Sequence, residues 1–297
     1  MDGNDAPTVT RDRVLGWLRE DAAERDVTAL ALVPAGVAAT ARVRAKAPGV
    51  VAGLGVAAQV FDALDAGVRY EPLVADGAAV RPGDVLARVA GPCRALLAGE
   101  RTALNVLQRM SGVATLTAQF VAAVAGTRAR ILATRKTLPG LRDLDLAAVR
   151  AGGGDVHRAS LAERVLVKEN HVAAARRAGR VHAFADAVAA LVGAAGPGVP
   201  IGIEVTDVDE LRAALVAGVE VVLVDNFDPA GCREAVALRD RTFPHGGGPD
   251  IEASGGVTLA NVRAFAESGV ERISVGALTH SAVALDISMK IAPGDAA

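Results

Sequence analysis

Aromatic side chains are scarce in this chain, since they make up only 3% of its 297 residues. Because 51% of the residues are hydrophobic, a buried core has to be built mainly from alanine, valine and leucine. Lysine is scarce as well, and four of the 32 basic residues are lysine: Lys46, Lys136, Lys168 and Lys290. A lysine that persists in so arginine-rich a chain is a candidate for a role that needs a compact, rotatable charge.

Other absences exclude whole classes of protein. The two cysteines, Cys93 and Cys232, lie far apart and have no metal-ligand spacing, so we expect reduced thiols in a soluble, cytoplasmic protein. The apolar runs contain proline or glycine and are too short to span a bilayer, and the acidic N-terminus does not resemble a signal peptide. With a net charge of -2, the chain is not expected to bind nucleic acid or a membrane surface.

The second half of the chain alternates between short apolar runs and amphipathic helical segments. Six runs have the length and composition of strands: residues 130–134, 164–168, 201–205, 221–225, 251–254 and 271–275. Alternation of strands and helices is typical of a parallel sheet, and over this length it predicts an α/β barrel.

The first half follows a different pattern. Residues 76–91 predict a β-hairpin with Pro82, Gly83 and Asp84 at its turn. Residues 100–125 predict a long helix that we expect to break near Ser111 and Gly112.

Charged residues follow several of the predicted strands, at the end of a barrel where active sites lie. The cationic members of this group are Arg135, Lys136, His157, Arg158 and Lys168, with Arg101 and Arg142 as candidates to join them. A positive cluster in a chain of net charge -2 indicates an anionic ligand held by charge-assisted hydrogen bonds. For any single arginine, a solvated or helix-capping charge remains the alternative.

Two carboxylates, Glu204 and Asp225, close neighbouring predicted strands opposite this cationic group. Such a pair suits Mg²⁺, which takes one or two protein carboxylates together with substrate phosphates. The two carboxylates could also stabilise positive charge that develops on a sugar ring. Alternatively, one of them forms a purely structural ion pair with an arginine at the same end of the barrel.

Glycines follow the last two predicted strands. Ser254, Gly255 and Gly256 precede a helical segment, and Gly276 follows the final strand. Glycine lets the backbone approach a ligand, and helix N-termini bind phosphate, so we expect a phosphate site here. A tight turn that requires positive φ is the alternative.

Four long motifs stand out in the chain: residues 100–115 (ERTALNVLQRMSGVAT), 133–142 (ATRKTLPGLR), 152–171 (GGGDVHRASLAERVLVKENH) and 252–258 (EASGGVT). Taken together, they resemble the quinolinate phosphoribosyltransferase family, and the resemblance extends over nearly the whole chain. It implies an α/β fold in which an N-terminal α/β sandwich (residues 1–115) takes back the segment 278–297. An open βα barrel of about six parallel strands, of the type II phosphoribosyltransferase kind, would occupy residues 116–277.

The resemblance also implies roles for individual residues. The residues that would contact quinolinate are Arg135, His157, Arg158 and Lys168, with Arg101 reaching across the interface of a homodimer. Those that would contact 5-phosphoribosyl 1-pyrophosphate and its Mg²⁺ are Lys136, Glu204 and Asp225, and the phosphate would lie against Ser254, Gly255, Gly256 and Gly276. The same binding set includes Thr134, Ser274 and Val275. The catalytic group would be Lys136, Lys168, Glu204 and Asp225.

The sequence departs from the usual family pattern at Ala133, at Leu146 and Ala147, and at Val156. These departures leave two acid substrates open: quinolinate itself, in a reaction that yields nicotinate mononucleotide, pyrophosphate and CO₂, or a related pyridine carboxylate. A different class of enzyme is the third hypothesis, a Schiff-base lyase with Lys168 as its amine nucleophile. The fourth is a non-catalytic regulatory or binding protein on the same scaffold, and the presence of both Glu204 and Asp225 counts against it.

Overall fold

The computed structural model describes residues 9–194 and 199–293, and these divide into two compact units. Residues 9–118, 138–153 and 281–293 form the first unit, and the second consists of the described residues between 119 and 137 and between 154 and 280. The sequence-based boundaries placed residues 138–153 in the barrel, whereas the structure places them in the first unit. Ion pairs hold them there, since Asp143 accepts from Arg13 at 2.6 Å and Asp145 pairs with Arg109 at 3.0 Å.

The helices and strands of the chain up to residue 123 are short except for the last helix. In order they are α1 (Arg11–Glu20), a 3-10 turn (Ala23–Arg25), α2 (Val27–Leu32), β1 (Ala38–Ala45), β2 (Gly49–Val50), α3 (Leu54–Leu64), β3 (Arg69–Pro72), β4 (Ala79–Val80), β5 (Val85–Pro92) and α4 (Cys93–Ala123).

The remaining elements alternate between strand and helix for most of their length. They are β6 (Arg130–Ala133), α5 (Arg142–Ala151), β7 (Asp155–Val156), β8 (Val165–Val167), α6 (Glu169–Arg177), α7 (Phe184–Ala194), β9 (Ile201–Val205), α8 (Val208–Leu215), β10 (Val221–Asp225), α9 (Pro229–Thr242), β11 (Asp250–Ser254), α10 (Val262–Glu267), β12 (Arg272–Ser274), α11 (Ala277–His280) and β13 (Ile287–Pro293).

An antiparallel sheet of four strands forms the centre of the first unit, in the order β13-β1-β5-β3. Strand β13 returns from the end of the described chain to pair with β1. The predicted hairpin over residues 76–91 is wrong, because β4 pairs with β2 in a separate ribbon while β5 pairs with β1 and β3. The composition of residues 82–84 therefore predicts the turn correctly, but it does not predict which strands β4 and β5 pair with.

Helix α4 runs for 31 residues without the break that was expected near Ser111 and Gly112. Both residues make contacts that need a small side chain. The Ser111 hydroxyl accepts from the backbone N–H of Ala52 at 3.0 Å, and a Cβ on Gly112 would overlap the carbonyl oxygen of Val283. The glycine serves close packing inside a continuous helix.

This packing predicts a clear effect on stability. We expect Gly112→Ala to lower the free energy of unfolding by about 1–3 kcal/mol, the usual cost of overpacking a core. Urea denaturation measures the change. Gly16→Ala is the matched control, because a Cβ at this helical position meets nothing within 4 Å. It should gain roughly 0.5–1 kcal/mol from helix propensity. Equal stability of the Gly112→Ala variant and the native protein would refute the close approach.

The second unit contains a curled parallel sheet of seven strands, in the order β7-β6-β12-β11-β10-β9-β8. This confirms the predicted fold class and all six predicted strands, and it adds the two-residue strand β7. In the described part of the chain β7 and β8 each pair with one strand, so the sheet stays open between them.

The two faces of this sheet differ in chemistry. Four residues in register across the central strands, Ile131, Ile273, Ala253 and Val224, are all buried and apolar. One position earlier, on the opposite face, the register brings Glu252 beside Arg272. Parallel strands are usually apolar on both faces, so the buried Glu252–Arg272 pair distinguishes this face from the apolar one. None of the described helices combines the length and the hydropathy that crossing a membrane requires.

Candidate active site

Two opposite charges meet where β8 and β9 end. Val167 and Ile203 are register partners, so Lys168 and Glu204 follow at the same level of the sheet. The Lys168 ammonium donates to the Glu204 carboxylate, which is largely buried, while the lysine side chain is 44% exposed. His171 accepts a hydrogen bond from the backbone N–H of Lys168 at 3.0 Å through Nδ1 and so helps to hold the start of α6. The structure therefore brings these two predicted residues together.

Asp225 ends the next strand, β10. The register pairs Glu204 with Leu223, so Asp225 lies one step further along on the same face. Its carboxylate accepts from the Asn226 amide at 2.8 Å. Asn226 adopts a left-handed conformation at φ 60°, which asparagine tolerates better than most residues, and its backbone N–H donates to the carbonyl of Ser254 at 2.8 Å. The ends of β10 and β11 are thereby joined.

The chemistry and contacts of the two carboxylates determine whether they suit Mg²⁺. Glu204 and Asp225 supply the oxygen ligands that Mg²⁺ prefers. Glu204 is already engaged by Lys168, and no cluster of three or more metal-ligating side chains occurs among the described residues. The pair therefore fits an ion that arrives with substrate phosphates and water, and it does not form a complete protein cage.

A dense cationic cluster lies on the segment between β7 and β8 and at the end of β6. Arg158 is only 8% exposed, and its Nη1 donates to the backbone carbonyl of Arg164 at 2.9 Å. Burial lowers the pKa of Arg158, and the charges of Arg135 and Arg164 lower it further. Within the described residues, Arg135 Nε and Arg164 Nη1 are buried without a hydrogen-bond partner. Buried donors that lack partners, next to unbalanced positive charge, favour an anion at this place.

A buried charged pair, Glu252 and Arg272, was not predicted from the sequence. Glu252 on β11 is fully buried, and it accepts from Arg272 Nε on β12 at 2.9 Å and from the Ser274 hydroxyl. His157 Nε2 lies 3.4 Å from the Glu252 carboxylate. The signal that could have identified Glu252 is a charged residue inside an apolar run, since the sequence prediction rests on the residue that closes each strand.

Lys136 lies after β6, where the structure places it beside the end of β12. Its side chain is exposed, its backbone N–H donates to the Thr134 hydroxyl at 3.2 Å, and its carbonyl accepts from Thr279 at 2.8 Å. A Cβ on Gly276 would come within 3.0 Å of the Lys136 Cδ, so the glycine gives the lysine room.

Two residues of the predicted binding set present little to a ligand. Ser274 is buried and its hydroxyl is bonded to Glu252. Val275 is buried, and its backbone N–H donates to the carbonyl of Leu132 at 2.9 Å.

The glycine loop after β11 differs from its prediction. Gly255 and Gly256 both have positive φ, at 93° and 62°, and a Cβ on Gly255 would overlap the side chain of Asn226. Helix α10 begins only at Val262, after a turn in which the Asn261 amide donates to the carbonyl of Gly256 at 3.0 Å. The expectation of a helix N-terminus directly behind the glycines is therefore wrong, since residues 257–261 separate Gly256 from the helix.

The other two cationic candidates belong to the first unit. Arg101 is exposed on α4, and Arg142 is the first residue of α5.

Comparison with known proteins gives a consistent result. Family models for the N-terminal and C-terminal domains of quinolinate phosphoribosyl transferase match residues 26–111 and 113–290. A nicotinate-nucleotide pyrophosphorylase (carboxylating) of Mycobacterium leprae is 43% identical over 284 residues, which are 95% of this chain and 96% of the relative. A mitochondrial quinolinate phosphoribosyltransferase (decarboxylating) of Nicotiana glauca is 37% identical over 92% of this chain and 80% of its own length. The crystal structure of NadC from Streptococcus pyogenes superposes with a TM-score of 0.88 at 34% identity, covering 98% of this chain and all of that one.

Proposed function

This chain belongs to the quinolinate phosphoribosyltransferase family, and we propose that quinolinate meets 5-phosphoribosyl 1-pyrophosphate at the carboxyl ends of the strands of its parallel sheet. The reaction is a pentosyl transfer of NAD biosynthesis. The pyridine nitrogen takes the phosphoribosyl group, pyrophosphate leaves, and loss of the 2-carboxylate as CO₂ gives nicotinate mononucleotide.

One observation carries the assignment of the acid site: the cationic cluster of Arg135, Arg158 and Arg164 with its unpartnered buried donors. Quinolinate brings two adjacent carboxylates, and a guanidinium binds a carboxylate through two parallel hydrogen bonds. We assign Arg135, Arg158 and His157 to these carboxylates. Lys168 supplies a point charge at the edge of the same group.

The phosphoribosyl donor is assigned to the neighbouring strand ends. Glu204 and Asp225 face the ribose and its Mg²⁺, and Lys136 reaches the pyrophosphate from beside Gly276. The backbone of Ser254, Gly255 and Gly256 holds the 5-phosphate, because neither glycine has a side chain that would keep the phosphate from the backbone, and both have the positive φ that glycine tolerates. Mg²⁺, when bound with the donor, neutralises phosphate charge.

No residue has to attack the sugar covalently. Glycosyl transfer passes through a state with positive charge on the ribose, which Glu204 and Asp225 stabilise from one side. Fixing the ring nitrogen opposite C1 can contribute up to roughly 7–11 kcal/mol through orientation. After transfer, the bond between C2 and its carboxylate breaks and CO₂ leaves. The positive ring nitrogen stabilises the electron pair left on C2, which then takes a proton from solvent, while the arginines hold the remaining carboxylate.

Turnover with the two substrates tests this assignment. The purified protein should release CO₂ and pyrophosphate in equal amounts from quinolinate and the donor, and the release should stop when Mg²⁺ is removed by chelation. Undiminished turnover in the chelator would remove the metal from the proposal. Faster turnover of nicotinate, without CO₂, would favour the related pyridine carboxylate instead of quinolinate.

We further propose that the active protein is a homodimer in which Arg101 of one subunit completes the site of the other. Its support is the exposure of Arg101 on α4 and the family resemblance. Mixing inactive Arg101→Ala with inactive Arg158→Ala should restore up to about a quarter of the activity, since random pairing produces mixed dimers with one intact site. A mixture that stays inactive would place Arg101 in its own subunit's site or in none.

The lyase hypothesis is disfavoured by one contact. Schiff-base chemistry needs a free, neutral amine, whereas the Lys168 ammonium is bonded to Glu204. Borohydride trapping with a carbonyl substrate should therefore leave Lys168 unmodified. The cytoplasmic location stays a prediction. The two cysteines, which were expected to be reduced thiols, are both free and buried.

A further inference from the structure

Glu252 is a fully buried carboxylate in the middle of a parallel strand. Arg272 Nε, at 2.9 Å, and the Ser274 hydroxyl both donate to it. A buried charge is expensive unless it is paired, and Arg272 provides the pairing here. The carboxylate nevertheless keeps a third neighbour, His157, whose side chain is only 7% exposed. Strand β11 thus places the negative charge of Glu252 next to His157, the residue assigned to the acid ligand.

His157 is not fully bonded in this arrangement. Its Nε2 lies 3.4 Å from a carboxylate oxygen of Glu252, yet it is buried and has no hydrogen-bond partner among the described residues. A buried ring nitrogen without a partner is costly, and the Glu252 carboxylate is an acceptor close to it. When one ring nitrogen donates to a carboxylate, that bond determines what the other nitrogen can do.

We propose that Glu252 is a positioning residue, whose carboxylate accepts a hydrogen bond from His157 Nε2 when the dicarboxylate binds, so that His157 holds the ligand as an imidazolium. This rests on the proposed function, because the ligand is the acid of that reaction. Nε2–H then donates to Glu252 and Nδ1–H to a ligand carboxylate. The extra proton comes from solvent, and no covalent bond in the ligand changes.

The charges around His157 explain why its ring takes up a proton only when the ligand binds. Burial lowers the pKa of His157, and the positive charges of Arg272, Arg164 and Arg158 lower it further, while Glu252 raises it. The free enzyme therefore holds a neutral ring near neutral pH. A ligand with two negative charges offsets the arginines, so His157 takes up a proton on binding. The affinity should fall as pH rises, because the proton that stabilises the complex becomes harder to supply.

Calorimetry measures this proton directly. Benzene-1,2-dicarboxylate has the two carboxylates of quinolinate and no ring nitrogen, so it can be titrated with the phosphoribosyl donor present and cannot react. In buffers of different ionisation enthalpy at pH ~7.5, about one unit above the ordinary histidine pKa, binding should take up about one proton per site. His157→Gln should abolish that uptake. Binding by the native protein without proton uptake would overturn the proposal.

Glu252→Gln isolates the carboxylate. We expect the proton uptake to disappear and the Kd of the dicarboxylate to rise about tenfold, the cost of losing one charge-assisted hydrogen bond. Glu271→Gln is the matched control, because Glu271 also accepts from a buried arginine, Arg239 Nη1 at 2.9 Å, and precedes Arg272 on the opposite face of the sheet. It should keep native uptake and affinity.

A second variant is needed in case the Glu252→Gln protein does not fold. Glu252→Asp keeps the charge against Arg272 but draws the carboxylate away from His157, so proton uptake should fall while folding is retained. If either folded variant takes up a full proton, Glu252 does not act on His157. The proposed function fails separately, since absence of quinolinate turnover in the native protein would refute it whatever the variants do.

Discussion

Arg158→Ala should lower kcat/KM for quinolinate by roughly 100- to 1000-fold, mostly through KM, since truncating one partner of a buried charge pair costs about 2–5 kcal/mol. Arg158 is nearly buried, and its guanidinium is already held by the carbonyl of Arg164, so it meets the ligand with little loss of side-chain freedom. Removing it also leaves the ligand carboxylate in a partly desolvated place. Steady-state kinetics with quinolinate as the varied substrate measures the change.

Arg233→Ala provides the comparison for this experiment. Arg233 is exposed on α9, so the same truncation should leave both KM and kcat unchanged. The KM for the phosphoribosyl donor should also change little in Arg158→Ala, because the arginine is assigned to the acid. A near-native KM for quinolinate would show that Arg158 does not bind it.

Lys168→Met should have an effect of similar size, roughly 1000-fold on kcat/KM, because the substitution removes a cation and leaves the carboxylate of Glu204 without its partner. Lys168→Arg should lose roughly tenfold or more, since a planar fork cannot replace a compact ammonium in the same contact. Glu204→Gln combined with Lys168→Met tests the coupling, and the double variant should lose less than the product of the two single losses.

Lys46→Arg is the matched control for the conservative change. Lys46 is exposed in the first unit, and the same substitution there should leave turnover unchanged. Native turnover in Lys168→Arg would contradict the argument that a retained lysine marks a need for its geometry.

The barrel strands could be predicted because their signal is local. Each combines β-branched and apolar residues with flanking turns, and a run such as residues 221–225 needs no distant partner to be recognised. The meeting of charged residues at the carboxyl ends of the strands could be predicted too, because parallel strands end at one edge of the sheet. Lys168 and Glu204 do meet at this edge. The assignment of the remaining binding residues stays a prediction that the experiments above test.

The errors share a physical cause, which is that they concern partners distant in the chain. Gly112 has the composition of a helix break, but its contact with Val283 decides its role. The residues of β4 and β5 suit a hairpin, yet each strand has a more favourable partner elsewhere. Glu252 was missed because a glutamate within a strand has a meaning only once Arg272 and His157 lie beside it.

The sequence by itself determined the class of fold, the strand ends that carry charge and the family, because periodicity, strand order and motif spacing are written along the chain. Only the tertiary structure decided that Lys168 is paired with Glu204, that residues 138–153 belong to the first unit, and that a buried glutamate stands behind His157. These depend on distances between segments far apart in sequence, which packing sets and local propensity does not.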